Sequence, residues 1–202
     1  MTLRLLSMLL LLELPCFGQM PRVVMETELG VIELALEAGK APGTTAHFLR
    51  YVDAAAYQDG HFWRTVRLDN QPGATVMIQV IQGGVGSEDK GLPPILLERT
   101  RDTGLRHLDG TLSMARSAPD SATDQFFICI GDQPDLDFGG KRNPDGQGFA
   151  AFGRVVKGMD IVRSIQSRPA KDQLLEPPVK ILGVRRFELP VSGHSRKTAP
   201  AK

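Results

Sequence analysis

Cysteine is scarce: Cys16 and Cys129 are the two in 202 residues. If the N-terminal segment is removed as described below, Cys129 stands alone and no internal disulfide can form. An excess of charge of one sign is also lacking. The 24 Lys and Arg nearly match the 23 Asp and Glu, for a net +1, and no basic stripe stands out. That argues against nucleic acid and anionic membrane surfaces as partners. The apolar stretch Leu5–Leu12 is too short to span a bilayer. The four histidines, His47, His61, His107 and His194, show no metal spacing to another His or Cys, and HExxH is absent. His47 lies beside an apolar helical stripe and reads as structural. No G-x-S-x-G elbow occurs. "GGVGSEDKG" fits neither the dinucleotide nor the phosphate-loop spacing and reads as a loop. Asp135 and Asp137 hold the first two positions of a calcium loop, but Gly139 breaks the third. Cys129 sits in an apolar strand and reads as buried and inert. Covalent catalysis, metal hydrolysis and nucleotide chemistry all lack their parts. No metal and no cofactor are expected.

What is present suits one domain with a full core: 42% hydrophobic residues, with 21 Gly and 14 Pro spread along the chain. Residues 1–18 read as a signal peptide, with Arg4 as the positive start, Leu5–Leu12 as the apolar core, and Cys16 and Gly18 as small residues before cleavage at Gln19. A buried N-terminal helix or strand is the alternative. The protein is therefore expected to be exported, to the periplasm or outside the cell, with no membrane attachment after signal removal. Residues 20–189 form the expected folded domain. Residues 190–202 are polar and rich in breakers and read as a flexible tail.

Within 20–189, "RVVMETELGVIELALE" predicts two strands with a turn at Gly30, because Ile32, Leu34 and Leu36 alternate with polar or small residues. "PGTTAHFLRYVDAAAY" predicts a helix, with Thr44 or Thr45 as cap and Phe48, Leu49, Val52 and Ala56 as its stripe. Strands are expected at 61–66 and 75–82 around a turn, and an irregular stretch over 83–109. "GTLSMARS", "QFFICI" and "FAAFGRVV" predict three more strands. "GMDIVRSIQS" predicts a second helix. "PVKILGVRRFEL" predicts a last strand, bulged at Gly183. About eight strands joined mostly by turns argue for an antiparallel barrel or sandwich.

Period-two alternation then sorts the faces. In "QFFICI", Phe126, Ile128 and Ile130 share a core face, and Gln125, Phe127 and Cys129 share the other. Leu112 and Met114 join the core, while Ser113 and Ala115 leave room above the sheet. Phe62, Arg64 and Val66 are expected on one face, as are Val80 and Gln82. If the mixed faces are adjacent, they make an apolar groove with a few hydrogen-bonding groups, suited to an uncharged ligand. The same pattern equally suits ordinary outer faces, with Arg64 over an aromatic or in a surface ion pair.

"FWRTV", "IQGG", "GTLSMARS", "DQFFICI", "LDFGG", "FAAFGRVVKGMDIV" and "TELGVIELALE" together resemble the cyclophilin-type peptidyl-prolyl cis–trans isomerases, in the family's strand order over roughly residues 22–187. Bacterial exported members are especially similar. The resemblance implies a mainly β fold: a closed eight-stranded antiparallel β-barrel capped by two α-helices. It implies a likeness to enzymes that bind proline-containing segments of unfolded or exported proteins, as a monomer. It assigns Arg64 as the catalytic donor. The substrate-binding set it implies, with the pocket changes below, is Gln82, Val80, Ala115, Gln125, Phe127, Leu136 and Phe149.

The chain also departs from the family pattern. Trp63 stands where histidine is usual, and Gln79 where phenylalanine is usual, which leaves one wall of the proline pocket open to Met77, Ile78 or Val80. Arg116 replaces a common asparagine, Asp135 a common tryptophan, and Phe149 a common histidine. The stretch from Arg64 to Gln82 is lengthened by "RLDNQPGAT". These changes keep a second reading open: a peptide-binding or chaperone module with little turnover.

Overall fold

Alternating apolar residues close the strands on themselves. The computed structural model describes residues 20–86 and 91–187. The predicted signal peptide and polar tail, and the last residues of the final predicted strand, lie outside them. In chain order the elements are β1 (Arg22–Thr27), β2 (Gly30–Leu36), α1 (Pro42–Asp53), β3 (Gly60–Val66), β4 (Val80–Gly84) and α2 (Thr100–Thr103). There follow β5 (Thr111–Met114), β6 (Phe126–Cys129), β7 (Ala150–Lys157), α3 (Met159–Gln166), β8 (Ala170–Lys171) and β9 (Leu174–Arg186). All pairings between strands are antiparallel, in the order β1-β2-β7-β5-β6-β4-β3-β9, and β1 pairs with β9 to close an eight-stranded barrel. The short β8 adds a ninth strand as a hairpin on β9. Closure removes the open edges that an antiparallel sheet would otherwise expose.

The barrel interior takes the expected core residues of β2, β5 and β6, Leu34, Leu112, Phe126 and Ile128, and adds others from β1, β4 and β9. Met25, Leu34, Ile81, Leu112, Phe126, Ile128 and Ile181 are all fully buried there. Phe126 meets Phe48, Tyr57 and Phe62 edge-on, with ring centroids 5.9, 5.5 and 5.6 Å away. Such edge-to-face pairs are favourable because the ring edge and face carry opposite partial charge. Phe48 and Val52 of α1, and Val162 and Ile165 of α3, pack their apolar stripes on this core.

Four local expectations need correction. Helix α1 starts at Pro42, which needs no N–H partner there. Thr44 and Thr45 are therefore inside the helix and cap nothing. The carboxylate of Glu98 takes the role instead, accepting from the N–H of Gly43 (3.0 Å) and of Thr44 (2.7 Å). The strand expected over 75–82 begins only at Val80. Buried Gln71 folds the preceding loop on itself: its Nε2 donates to the carbonyls of Arg67 (2.7 Å) and Ile78 (2.9 Å), and its Oε1 accepts from the Ile78 N–H (3.2 Å). One amide side chain thus satisfies backbone that a ladder would otherwise pair.

The irregular stretch 83–109 contains the helical turn α2 and an isolated bridge between Ile95 and Ala122. Finally, Phe62 does not share a face with Arg64. The register jumps from Phe62↔Gly83 to Arg64↔Gln82, so Trp63 is an extra residue in a β-bulge. Phe62 turns into the barrel, while Val66 joins an outer cluster. The bulge expected at Gly183 is present: the register passes from Glu26↔Gly183 to Thr27↔Ile181.

Candidate active site

The outer faces of β3, β4 and β6 lie side by side, because Arg64 pairs with Gln82 and Gln82 with Phe127. Val66, Ile78, Val80, Phe127, Cys129 and Leu136 form a second apolar cluster there, with Ala115 and Phe149 packed against it. A cleft of about 400 Å³ opens above it. Seven of the eight residues singled out in the sequence line this cleft: Arg64, Val80, Gln82, Ala115, Phe127, Leu136 and Phe149. Gln125 stands beyond its end. Ile78 and Val80 supply the wall where the family has phenylalanine; Met77 is exposed and takes no part.

Arg64 is half-buried and held from two sides. Its Nη1 donates to Gln82 Oε1 (3.0 Å). Its Nε and Nη2 both donate to Gln173 Oε1 (3.0 and 2.6 Å). Gln173 sits in the β8–β9 turn with φ 72°, and its own Nε2 is tied to the Asn70 carbonyl at 3.0 Å. Among the described residues no carboxylate pairs with Arg64. Burial, and then the nearby Arg142 charge, lower its pKa from the usual arginine value. A guanidinium has five N–H donors. Three are used, so each terminal nitrogen keeps one N–H for a ligand.

The bulged Trp63 donates from Nε1 to Gln125 Oε1 (2.7 Å), and Gln125 Nε2 donates to Asp124 Oδ2 (2.8 Å). The Gln125 amide is thus oriented from both ends. A Cβ on Gly84 would overlap that amide, and one on Gly83 would come within 2.7 Å of the His61 carbonyl. This close approach is the physical need behind two glycines after Gln82.

Behind Phe127 lies a chain that sequence reading missed. His107 is buried and stacks on the Phe127 ring, with centroids 5.9 Å apart and planes 16° apart. Its Nδ1 donates to Asp137 Oδ1 (2.7 Å), because the carboxylate can only accept. In the neutral ring its Nε2 then accepts from Ser113 Oγ (2.9 Å). The Ser–His–Asp order resembles a nucleophile relay, but Ser113 is fully buried, so the chain anchors the pocket floor. On the other side, Phe149 meets Phe127 edge-on at 5.3 Å. Arg116 lies over the Phe149 ring at 5.1 Å and is fixed by Asp145 (2.7 and 2.9 Å) and the Gly148 carbonyl (2.8 Å). That pairing holds the exposed Asp145 carboxyl down at about 2.

Cys129 is buried, and burial pushes its thiol far above the usual range. His47 is structural, donating from Nε2 to the Thr123 carbonyl at 2.7 Å. His107 and Gln173 carry no local signal in the sequence: folding brings Asp137 and Phe127 to the one and Arg64 to the other.

Residues 22–186 match the family described as cyclophilin type peptidyl-prolyl cis-trans isomerase/CLD. Peptidyl-prolyl cis-trans isomerase A of Dickeya dadantii is 41% identical over 148 residues, spanning 71% of this chain and 70% of that protein. A peptidyl-prolyl cis-trans isomerase of Streptomyces antibioticus is 37% identical over 177 residues, spanning 81% of this chain and all of its own. The crystal structure of a Cryptosporidium parvum cyclophilin type isomerase shares the fold, with a TM-score of 0.69 at 20% identity, covering 85% of this chain and 99% of that one. The chain belongs to the cyclophilin family of peptidyl-prolyl cis–trans isomerases.

Proposed function

We propose that the protein turns X–Pro bonds by holding the amide in its twisted form, with Arg64 as the hydrogen-bond donor. The barrier is about 20 kcal/mol because rotation breaks amide resonance. No nucleophile is needed; the site has only to bind the twisted amide better than the planar one. Phe127, Leu136, Val80, Ala115 and Phe149 receive the proline ring. Gln82 and Gln125 hold the substrate backbone. The two remaining Arg64 N–H groups donate to the prolyl carbonyl and to the prolyl nitrogen, whose lone pair is released as the bond twists. That second bond strengthens in the transition state and so accelerates the reaction.

The observation that carries this reading is the guanidinium pinned over an apolar pocket with one N–H left on each terminal nitrogen. The test is the isomerisation rate of an X–Pro peptide. Arg64→Ala should lower kcat/KM by about 10²–10³-fold, the usual cost of deleting one preorganised donor. An unchanged rate would overturn the role of Arg64; no rate in the parent would overturn the activity.

The clients we propose are exported proteins, on the strength of Arg4, Leu5–Leu12 and the small residues before Gln19. N-terminal sequencing of the protein from the cell envelope should begin at Gln19. A chain beginning at Met1 would remove that support.

A further inference from the structure

Three arginines line the cleft, Arg64, Arg116 and Arg142, and only Arg116 is neutralised by an acid among the described residues. Arg142 is the one with no task in the reaction. It is half-buried on the loop after Leu136. Its Nη1 donates to the Val76 carbonyl (2.7 Å) and to Gln71 Oε1 (3.3 Å). The donors on Nε and Nη2 have no partner among the described residues. Beside it in the lining, Asn143 Nδ2 is enclosed and has no acceptor among the described residues. An arginine placed next to a second unpaired guanidinium, and next to an unmet amide donor, marks a place that lacks an anion.

Its position along the cleft follows from the strand register. Gln125 precedes β6, beside Gly84 at the far end of β4. Gln82 and Arg64 face Phe127 in the middle. Val80 and Ile78 follow at the other end, where the 67–79 loop meets Arg142. Arg142 also lines the adjoining depression, made by Asn70, Gln71, Pro72, Asp172 and Gln173. The direction is part of the proposal: with Gln125 holding the residues before proline and Arg64 the prolyl carbonyl, the chain after proline leaves the site across Arg142. Asp172 is exposed on the rim of that depression, and Asp135 accepts from the Lys141 N–H; neither forms an ion pair with Arg142. Arg142 exists in this position because the lengthened loop folded by Gln71 supports it.

We infer that Arg142 makes the cleft select proline segments in which the residue after proline carries a carboxylate. This rests on the proposed direction of the substrate in the cleft. A carboxylate there accepts from the Arg142 Nε and Nη2 fork, a geometry arginine presents and lysine does not. The Arg64 charge nearby adds to the attraction and penalises a lysine at the same place.

The test uses amidated peptides that differ only after proline, with Glu, Gln or Lys. Affinity is read by NMR titration and kcat/KM by exchange of the X–Pro bond. At low salt the Glu peptide should exceed the Lys peptide by about tenfold, shrinking toward parity in about 0.5 M salt, because a partly exposed pair is screened. Arg142→Gln should bring the ratio within about twofold, and Arg142→Lys should keep part of it by charge alone. Glu moved to two residues before proline should give no gain. Equal Glu and Lys values in the parent, a ratio unchanged in Arg142→Gln, or an equal gain from the moved Glu would each overturn the assignment. If the Gln peptide turns over while Glu and Lys are equal, Arg142 selectivity alone fails. If no peptide binds or turns over, the proposed activity fails and this inference with it. If Arg142→Gln does not fold, Arg142→Lys carries the comparison: a Glu-to-Lys ratio as large as the parent's would overturn the role of the fork.

Discussion

Gln173 offers the sharpest test of how Arg64 is held. Its Oε1 accepts two of the three intramolecular bonds that Arg64 makes, at 3.0 and 2.6 Å. Deleting the side chain leaves the guanidinium anchored only through Nη1 to Gln82. The clean variant is Gln173→Gly. The backbone at 173 is left-handed, φ 72°, so glycine takes it without strain, whereas alanine would not. The Gln173 carbonyl still accepts from the Thr65 N–H at 2.9 Å, so the hairpin stays tied to β3. Hydrogen bonds to a charged group are worth about 1.5–3 kcal/mol. Water can replace Gln173 at a half-exposed site, so one such bond, not two, measures the lost alignment. At about 1.4 kcal/mol per tenfold, kcat/KM should fall about 10- to 150-fold. The fall should lie in kcat, because the apolar pocket that binds proline is untouched. Thermal unfolding should move little. A kcat/KM within twofold of the parent, in a folded variant, would show that Arg64 needs no second anchor.

Two further outcomes follow from groups away from Arg64. Trp63→Phe removes the donor to Gln125 and should raise KM about 2- to 10-fold with kcat retained, as expected for one neutral bond that helps ground and transition states alike. Because Trp63 is the single tryptophan, the parent's intrinsic fluorescence should also change on binding a proline peptide; no change at saturation would count against Gln125 as a contact. His47 is buried with no partner for Nδ1 among the described residues, and burial lowers its pKa below 6.5. Its charged form is penalised only in the folded state, so stability should be full above about 6.5 and decline as pH falls through the folded value, by at most about 1.4 kcal/mol per pH unit. Urea unfolding of the parent and of His47→Gln from pH 7.5 to 4.5 should diverge in that direction, and parallel curves would refute it.

The parts of the fold that were legible are those where one local rule acts alone. Phe126, Ile128 and Ile130 enter the core while Phe127 and Cys129 face outward, as strict alternation requires. The rule fails at Trp63, because a bulge is decided by the neighbouring strands, whose register needs one residue fewer. It fails again at 75–79, where strand-forming residues are diverted by Gln71, a buried amide that outcompetes the ladder for the backbone of Ile78. The cap of α1 escapes the local sequence for a related reason: Glu98 is 54 residues beyond Thr44 and meets it only in the folded chain. Within the cleft, Arg64, Val80, Gln82, Ala115 and Phe127 follow from alternation, Leu136 and Phe149 lie off the strands and come from the family resemblance, and the turn and loop residues Gln173, Arg142 and His107 carry neither signal.

The choice of partners for Arg64 has its own logic. Both neighbours that hold it, Gln82 and Gln173, are neutral amides. A carboxylate in either place would grip the guanidinium harder, since a charge-paired bond is about twice as strong. It would also cancel the positive field at the position where the prolyl nitrogen lone pair appears. That field is strongest in a half-buried site, where the effective dielectric is low. Amides fix the direction of the donors and leave the charge unspent, at the cost of burying a cation without a counter-ion. The same uncompensated charge is what an acidic residue after proline would find at Arg142. The catalysis proposed at Arg64 and the selectivity inferred at Arg142 thus draw on one feature, a cleft whose unpaired cations are oriented by neutral groups.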